Sequence, residues 1–156
     1  MTEASRRDFL KAAAALAAVH PPSMQGSEAP EAPPRSRPLA PDEPVNLAVI
    51  GTGGMGTGHT EGLLSAAKDG RANIRVVGLA DVCEPRLLAA KQKVEDVQGA
   101  DSCRVYAQYR DLLKRPDLHG VLIASPAHWH ADMLLDAMKA GKDGYVEKPM
   151  TRWLCI

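Results

Sequence analysis

The chain has 156 residues, with 19 Lys+Arg against 19 Asp+Glu and 45% hydrophobic content. A folded region of roughly 100 to 150 residues can bury enough apolar surface to stand without disulfides or a structural metal, and zero formal charge offers no electrostatic footing for nucleic acid. The cysteines, Cys83, Cys103 and Cys155, are odd in number, widely spaced and without a CxxC pair, so they specify neither a disulfide framework nor a zinc site.

The first apolar run, Ala12 to Val19, is far shorter than the roughly 20 residues a helix needs to cross a bilayer, which excludes a permanent membrane span there. It follows Ser5-Arg6-Arg7-Asp8-Phe9-Leu10-Lys11, two consecutive arginines ahead of an apolar stretch with no polar face. This arrangement resembles a twin-arginine export signal, which implies export of an already folded protein to the periplasm or another extracytoplasmic site. Residues 1–20 are read as that segment. Residues 21–44 hold eight prolines, which fix φ and remove backbone donors, and are read as an extended linker.

The folded region is expected over 45–156. Val45 to Ile50 is a short β-branched run ending in glycine, the pattern of a buried parallel strand. A helix is expected over Thr60 to Lys68, with Leu63, Leu64 and Ala67 on one face, and a second strand over Ile74 to Ala80. Pro85 suits the first turn of a helix whose apolar positions are Leu87, Ala90, Val94 and Val97. A brief strand at Val105 to Ala107, a short helix around Asp111 to Lys114 and a fourth strand at Gly120 to Ala124 follow. Met133, Leu134, Ala137 and Met138 mark a further helix ending at Gly141, and Tyr145 to Glu147 a fifth strand. Strict alternation of strand and helix predicts an α/β fold with a doubly wound parallel sheet.

Gly51-Thr52-Gly53-Gly54-Met55-Gly56 satisfies G-x-G-x-x-G between a predicted strand and a predicted helix, the setting in which that motif binds a dinucleotide. Gly51 permits the tight turn, Gly53 lets a pyrophosphate reach the backbone, and Gly56 allows the helix to pack closely on the strand. Gly54 and Met55 complete the loop, whose free N–H groups open a helix N-terminus. Asp81, at the end of the second strand, is expected to accept hydrogen bonds from the adenosine ribose, which favours NAD over NADP. Arg86, five residues on, could offer a phosphate partner and works against that preference.

Two further segments, Ala124-Ser125-Pro126-Ala127-His128-Trp129-His130 and Tyr145-Val146-Glu147-Lys148-Pro149, together with the glycine loop, resemble the Gfo/Idh/MocA oxidoreductases over Val45 to about Thr151. The resemblance implies an N-terminal Rossmann domain, NAD as cofactor, and a C-terminal α/β domain covering a sugar, cyclitol or related polyol. It also implies a homo-oligomeric full-length form. Lys148 matches the family's catalytic lysine, a general acid and electrostatic group beside a developing alkoxide. Glu147 would lie against the nicotinamide ribose, and Pro149 would set the turn that aims the lysine. Ser125, Pro126, Trp129 and His130 are the expected cofactor-loop residues. The family commonly has an aspartate where this chain has Ala127, and packing between helix and sheet is the other reading of Trp129. His128 and His130 are two apart, unlike the i, i+4 spacing of helical zinc pairs, and no metal site is assigned.

The expected function is therefore NAD(P)-dependent oxidation or reduction of a sugar-like alcohol. Two other readings stand beside it: an NAD-using glycosidase of the same superfamily, whose members tend to lack the lysine of Glu-Lys-Pro, and a nucleotide-binding remnant without catalysis. Five readable strands against the usual six predict a dinucleotide-binding fold incomplete at its C-terminal end, without the substrate domain, inactive alone, and with an uncovered sheet face.

Overall fold

The computed structural model describes residues 39–40 and 42–151. The export-signal segment, the proline-rich stretch up to residue 38 and the segment from Arg152 onward lie outside the described residues. Among the described residues five strands, β1 (Val45–Ile50), β2 (Ile74–Ala80), β3 (Arg104–Tyr106), β4 (Gly120–Ile123) and β5 (Asp143–Val146), form one parallel sheet in the order β3-β2-β1-β4-β5. The crossovers are helices α1 (Gly54–Lys68), α2 (Glu84–Gln98), α3 (Tyr109–Leu113) and α4 (His130–Lys139), the last preceded by a 3₁₀ turn at Ala127–Trp129.

Alternation along β1 and β4, with a register shift between β1 and β2 at Leu47/Ala48 that changes the phase along β2, divides the core into two layers. Val49, Val76 and Leu79 face α1 and α2, where Leu64, Leu87, Ala90 and Val94 are buried. Ala48, Ile50, Val77, Val121 and Ile123 face α3 and α4, against Leu112, Leu113, Met133 and Ala137. Strand order reverses at β1, whose neighbours β2 and β4 wind outward in opposite directions. That reversal makes the carboxyl edge between β1 and β4 the topological switch point, the place where parallel α/β sheets hold ligands. On the α1 side, β4 and β5 border a groove lined by Leu47, Leu63, Leu122 and Tyr145, and among the described residues β5 is an edge of the sheet.

Several element boundaries differ from the sequence reading. The first helix begins at Gly54 rather than Thr60. Glycine costs about 1 kcal/mol per helical position against alanine, so propensity hides this turn. Tertiary packing forms it all the same: Thr57 N donates to Gly53 O at 2.8 Å and Thr60 Oγ1 to Gly56 O at 2.8 Å. The third strand lies one residue earlier than expected, and the fifth runs over Asp143–Val146, because pairing of Gly120 with Asp143 and Ile123 with Val146 sets its register. The short helix covers Tyr109–Leu113. Val97 and Met138, expected on apolar faces, are 48% and 57% exposed, since each helix buries a stripe narrower than its apolar positions.

Candidate functional site

The glycine loop turns sharply from β1 into α1. Gly51 has φ +92°, a left-handed conformation that side chains resist, and a Cβ there would lie 2.7 Å from Ala124 O. The turn after β1 therefore presses against the loop after β4. A Cβ on Gly56 would fall 1.7 Å from Gly51 O, which is how closely α1 sits on that turn. Among the described residues the nearest atom at Gly53 would be Arg86 Nη1 at 3.9 Å, and at Gly54 nothing lies within 4 Å. Gly51 and Gly56 thus close the cradle from below while Gly53 and Gly54 leave it open above. Met55 is 61% exposed on its rim. Gly53 caps α1 without a side-chain hydrogen bond and no acidic residue occupies the first turn, so the positive helix end is left for an anion. This shape fits a dinucleotide pyrophosphate.

Asp81 stands at the carboxyl end of β2, and its carboxylate ties the edge together. Thr52 N and Thr52 Oγ1 donate to Oδ2 at 2.6 and 2.9 Å, and Cys83 N donates to Oδ1 at 2.8 Å. Burial pulls this carboxyl upward, but the donors from Cys83 and Thr52, with the Arg86 charge behind them, hold it below the usual carboxylate range. A carboxylate offers about four acceptor sites, so these three donors leave about one for a ribose hydroxyl. Thr52, 2% exposed, is a residue the motif hides under "x"; the hydroxyl was its only signal in the sequence.

The loop after β4 carries Ser125, Pro126 and Trp129. Pro126 is exposed and Trp129 is 44% exposed, its ring 5.7 Å from that of His128, so packing between helix and sheet does not describe Trp129. Among the described residues Ser125 Oγ is buried without a hydrogen-bond partner, an orphan at the carboxyl edge that a polar ligand group could satisfy. His130 is 2% exposed. Its Nε2 lies 2.7 Å from Ser125 O and its Nδ1 2.8 Å from Pro149 O, so the ring straps the loop after β4 to the loop after β5.

Beyond β5, Glu147 N donates to Ile123 O at 3.0 Å, and Lys148 is exposed at the carboxyl edge, joined to Pro149 by a cis peptide. The Glu147 carboxylate meets His59 Nε2 at 2.5 Å, a contact from α1 that the sequence reading did not contain. That hydrogen bond holds Glu147 below the usual carboxylate range against desolvation, with help from the Lys148 N–H. The structure thus gathers the glycine loop, Asp81, the Ser125–His130 loop and Glu147-Lys148-Pro149 at one edge of the sheet.

Fold and cradle together define a Rossmann-type dinucleotide-binding domain. Residues 45–154 match the oxidoreductase family with an NAD-binding Rossmann fold, and residues 3–19 match the twin-arginine translocation pathway signal sequence, which directs export by that route. The chain belongs to the Gfo/Idh/MocA family, whose Rossmann domain binds NAD. It is 32% identical to glycosyl hydrolase family 109 protein 1 of Shewanella sp. (strain ANA-3), over 93% of this chain and 33% of that protein. It is 34% identical to inositol 2-dehydrogenase of Gluconacetobacter diazotrophicus, over 68% of this chain and 29% of that protein. Among solved structures, myo-inositol dehydrogenase from Lactobacillus casei, in complex with NAD(H) and myo-inositol, superposes with TM-score 0.61 at 28% identity, over 69% of this chain and 29% of that one. The chain therefore spans about a third of the length of the curated relatives it matches. No helix of the described residues is long and apolar enough to cross a membrane.

Proposed function

We propose that residues 45–156 are the dinucleotide half of an enzyme that moves hydride between NAD and a sugar-like or cyclitol alcohol, exported behind signal segment 1–20 and linker 21–44 to an extracytoplasmic site. The observation that carries this reading is Glu147-Lys148-Pro149 at the carboxyl edge, with Pro149 O held by His130. Bound NAD supplies the hydride acceptor or donor. In this reading the chain's own groups divide the remaining work. Gly53, Gly54, Met55 and the α1 N-terminus hold the pyrophosphate, and Asp81 takes an adenosine ribose hydroxyl and disfavours a 2′-phosphate. Ser125, Pro126 and Trp129 border the cofactor on the β4 side, with His130 behind them, and Glu147 takes a nicotinamide ribose hydroxyl. Lys148 donates a hydrogen bond or proton to the substrate oxygen as charge develops there, at a point covered by a substrate domain of the kind the family carries. In a full-length relative, Lys148→Ala is expected to lower kcat by about 10²- to 10⁴-fold while cofactor affinity changes little. Unchanged turnover would remove Lys148 from the mechanism.

A second reading, NAD-using glycoside cleavage, is favoured by one observation: a family 109 glycosyl hydrolase aligns with 93% of the chain, against 68% for the inositol 2-dehydrogenase. Lys148 speaks for the dehydrogenase. Incubating the full-length protein with NAD and panels of polyols and aryl glycosides separates the two. Accumulating NADH supports the dehydrogenase, and aglycone release without net redox change supports the glycosidase.

A further inference from the structure

His59 lies on α1 five residues beyond Gly54, outside the glycine motif, yet its ring reaches the strand on the far side of β4. Its Nε2 is 2.5 Å from Glu147 Oε1, and Tyr145 Oη donates to the same oxygen at 3.4 Å. The Tyr145 ring stands edge-on to His59, with centroids 5.9 Å apart and planes at 66°. Backbone and side chain of Glu147 are thus fixed from different directions, the N–H by Ile123 O of β4 and the carboxylate by α1. A glutamate side chain in solvent samples many rotamers, and each must be given up when it binds a ligand in one geometry. Here that ordering is done before any ligand arrives. The carboxylate is not used up: His59 and Tyr145 both meet Oε1, two of its roughly four acceptor sites, which leaves acceptor capacity for a hydroxyl.

We propose that His59 is a positioning residue that presents the Glu147 carboxylate to the ribose on the nicotinamide side of the dinucleotide. The inference rests on the reading of Glu147 as a ribose acceptor. It couples the two ends of the cofactor site, because the helix whose N-terminus meets the pyrophosphate also carries the group that aims Glu147. His59 is partly exposed, at 29% of its side chain, so its replacement does not open the core.

Titration calorimetry on the whole chain tests this with two probes, NAD and ADP, the second lacking the nicotinamide ribose. His59→Ala is expected to weaken NAD binding by about 5- to 20-fold, the scale of one lost charge-assisted hydrogen bond and one freed side chain, and to leave ADP within about two-fold. His59→Gln, which restores an N–H donor, is expected to recover most of the loss. Equal weakening of NAD and ADP by His59→Ala would mean a purely structural role and overturn the proposal. Glu147→Ala separates the proposal from the reading beneath it. If Glu147→Ala lowers NAD affinity selectively while His59→Ala does not, Glu147 acts unaided and His59 is not a positioning residue. If Glu147→Ala leaves the NAD-to-ADP ratio unchanged, the ribose reading fails and the role of His59 fails with it.

Discussion

Gly56 and Gly58 sit two residues apart on α1, and alanine is expected to act on them with opposite sign. In an open helical position, replacing glycine by alanine stabilises by about 0.5 to 1 kcal/mol, largely by restricting the unfolded chain. Gly58 is such a position, since a Cβ there meets nothing within 4 Å among the described residues. At Gly56 the same Cβ would lie 1.7 Å from Gly51 O and 2.8 Å from Gly51 C, both backbone atoms. Opening the first contact to 3.0 Å requires α1 and the turn to separate by at least about 1.3 Å. The turn has little room to yield the other way, because the space where a Gly51 Cβ would sit is already bounded by Ala124 O and Ala124 C. Overpacking costs about 1 to 3 kcal/mol, and a clash with backbone atoms that cannot rotate away falls in the upper part of that range, so after the propensity gain of about 0.5 to 1 kcal/mol Gly56→Ala should be destabilised by about 1 to 2.5 kcal/mol. It should also lose NAD affinity, because the displaced element is the N-terminus that meets the pyrophosphate. Urea unfolding followed by circular dichroism, with a parallel NAD titration, measures both effects. Unfolding midpoints for Gly56→Ala equal to or above those of Gly58→Ala would refute the packing argument.

Two other outcomes follow from the same edge of the sheet and from the N-terminus. The native Asp81 carboxyl is held below its unfolded value, so its contribution is fully present above about pH 4 and is lost as pH falls through the lower native value. Asp81→Asn is therefore expected to flatten the acid limb of stability in urea midpoints stepped from pH 6 to pH 2, and to narrow the preference for NAD over NADP. An unchanged acid limb would show that Asp81 is not among the groups linked to folding. Replacing Arg6 and Arg7 together by lysine is expected to leave the protein in the cytoplasm, read by cell fractionation, and export as before would remove the pair from targeting.

Much of this protein was legible in the chain because the relevant chemistry is local. Val45 to Ile50 followed by Gly51-Thr52-Gly53-Gly54-Met55-Gly56 encodes strand and turn within a dozen residues, and backbone geometry alone demands glycine at Gly51 and Gly56. Asp81 could be placed for the same reason, as the residue that ends an apolar run. Twin arginines before Ala12 to Val19 are likewise a contiguous signal. The helix at Gly54 was not legible, since glycine propensity argues against it and only contact with the β1 turn overrides that cost. Nor were the pairings that finish the site: Thr52 with Asp81 across 29 positions, His130 with Pro149 across 19, and His59 with Glu147 across 88. These depend on which strands lie side by side. With β4 placed next to β1, the loop at Ser125 meets the loop at Gly51 and β5 comes within reach of α1; a single side chain's propensity carries no information about that adjacency, because it is decided by the burial of both sheet faces at once.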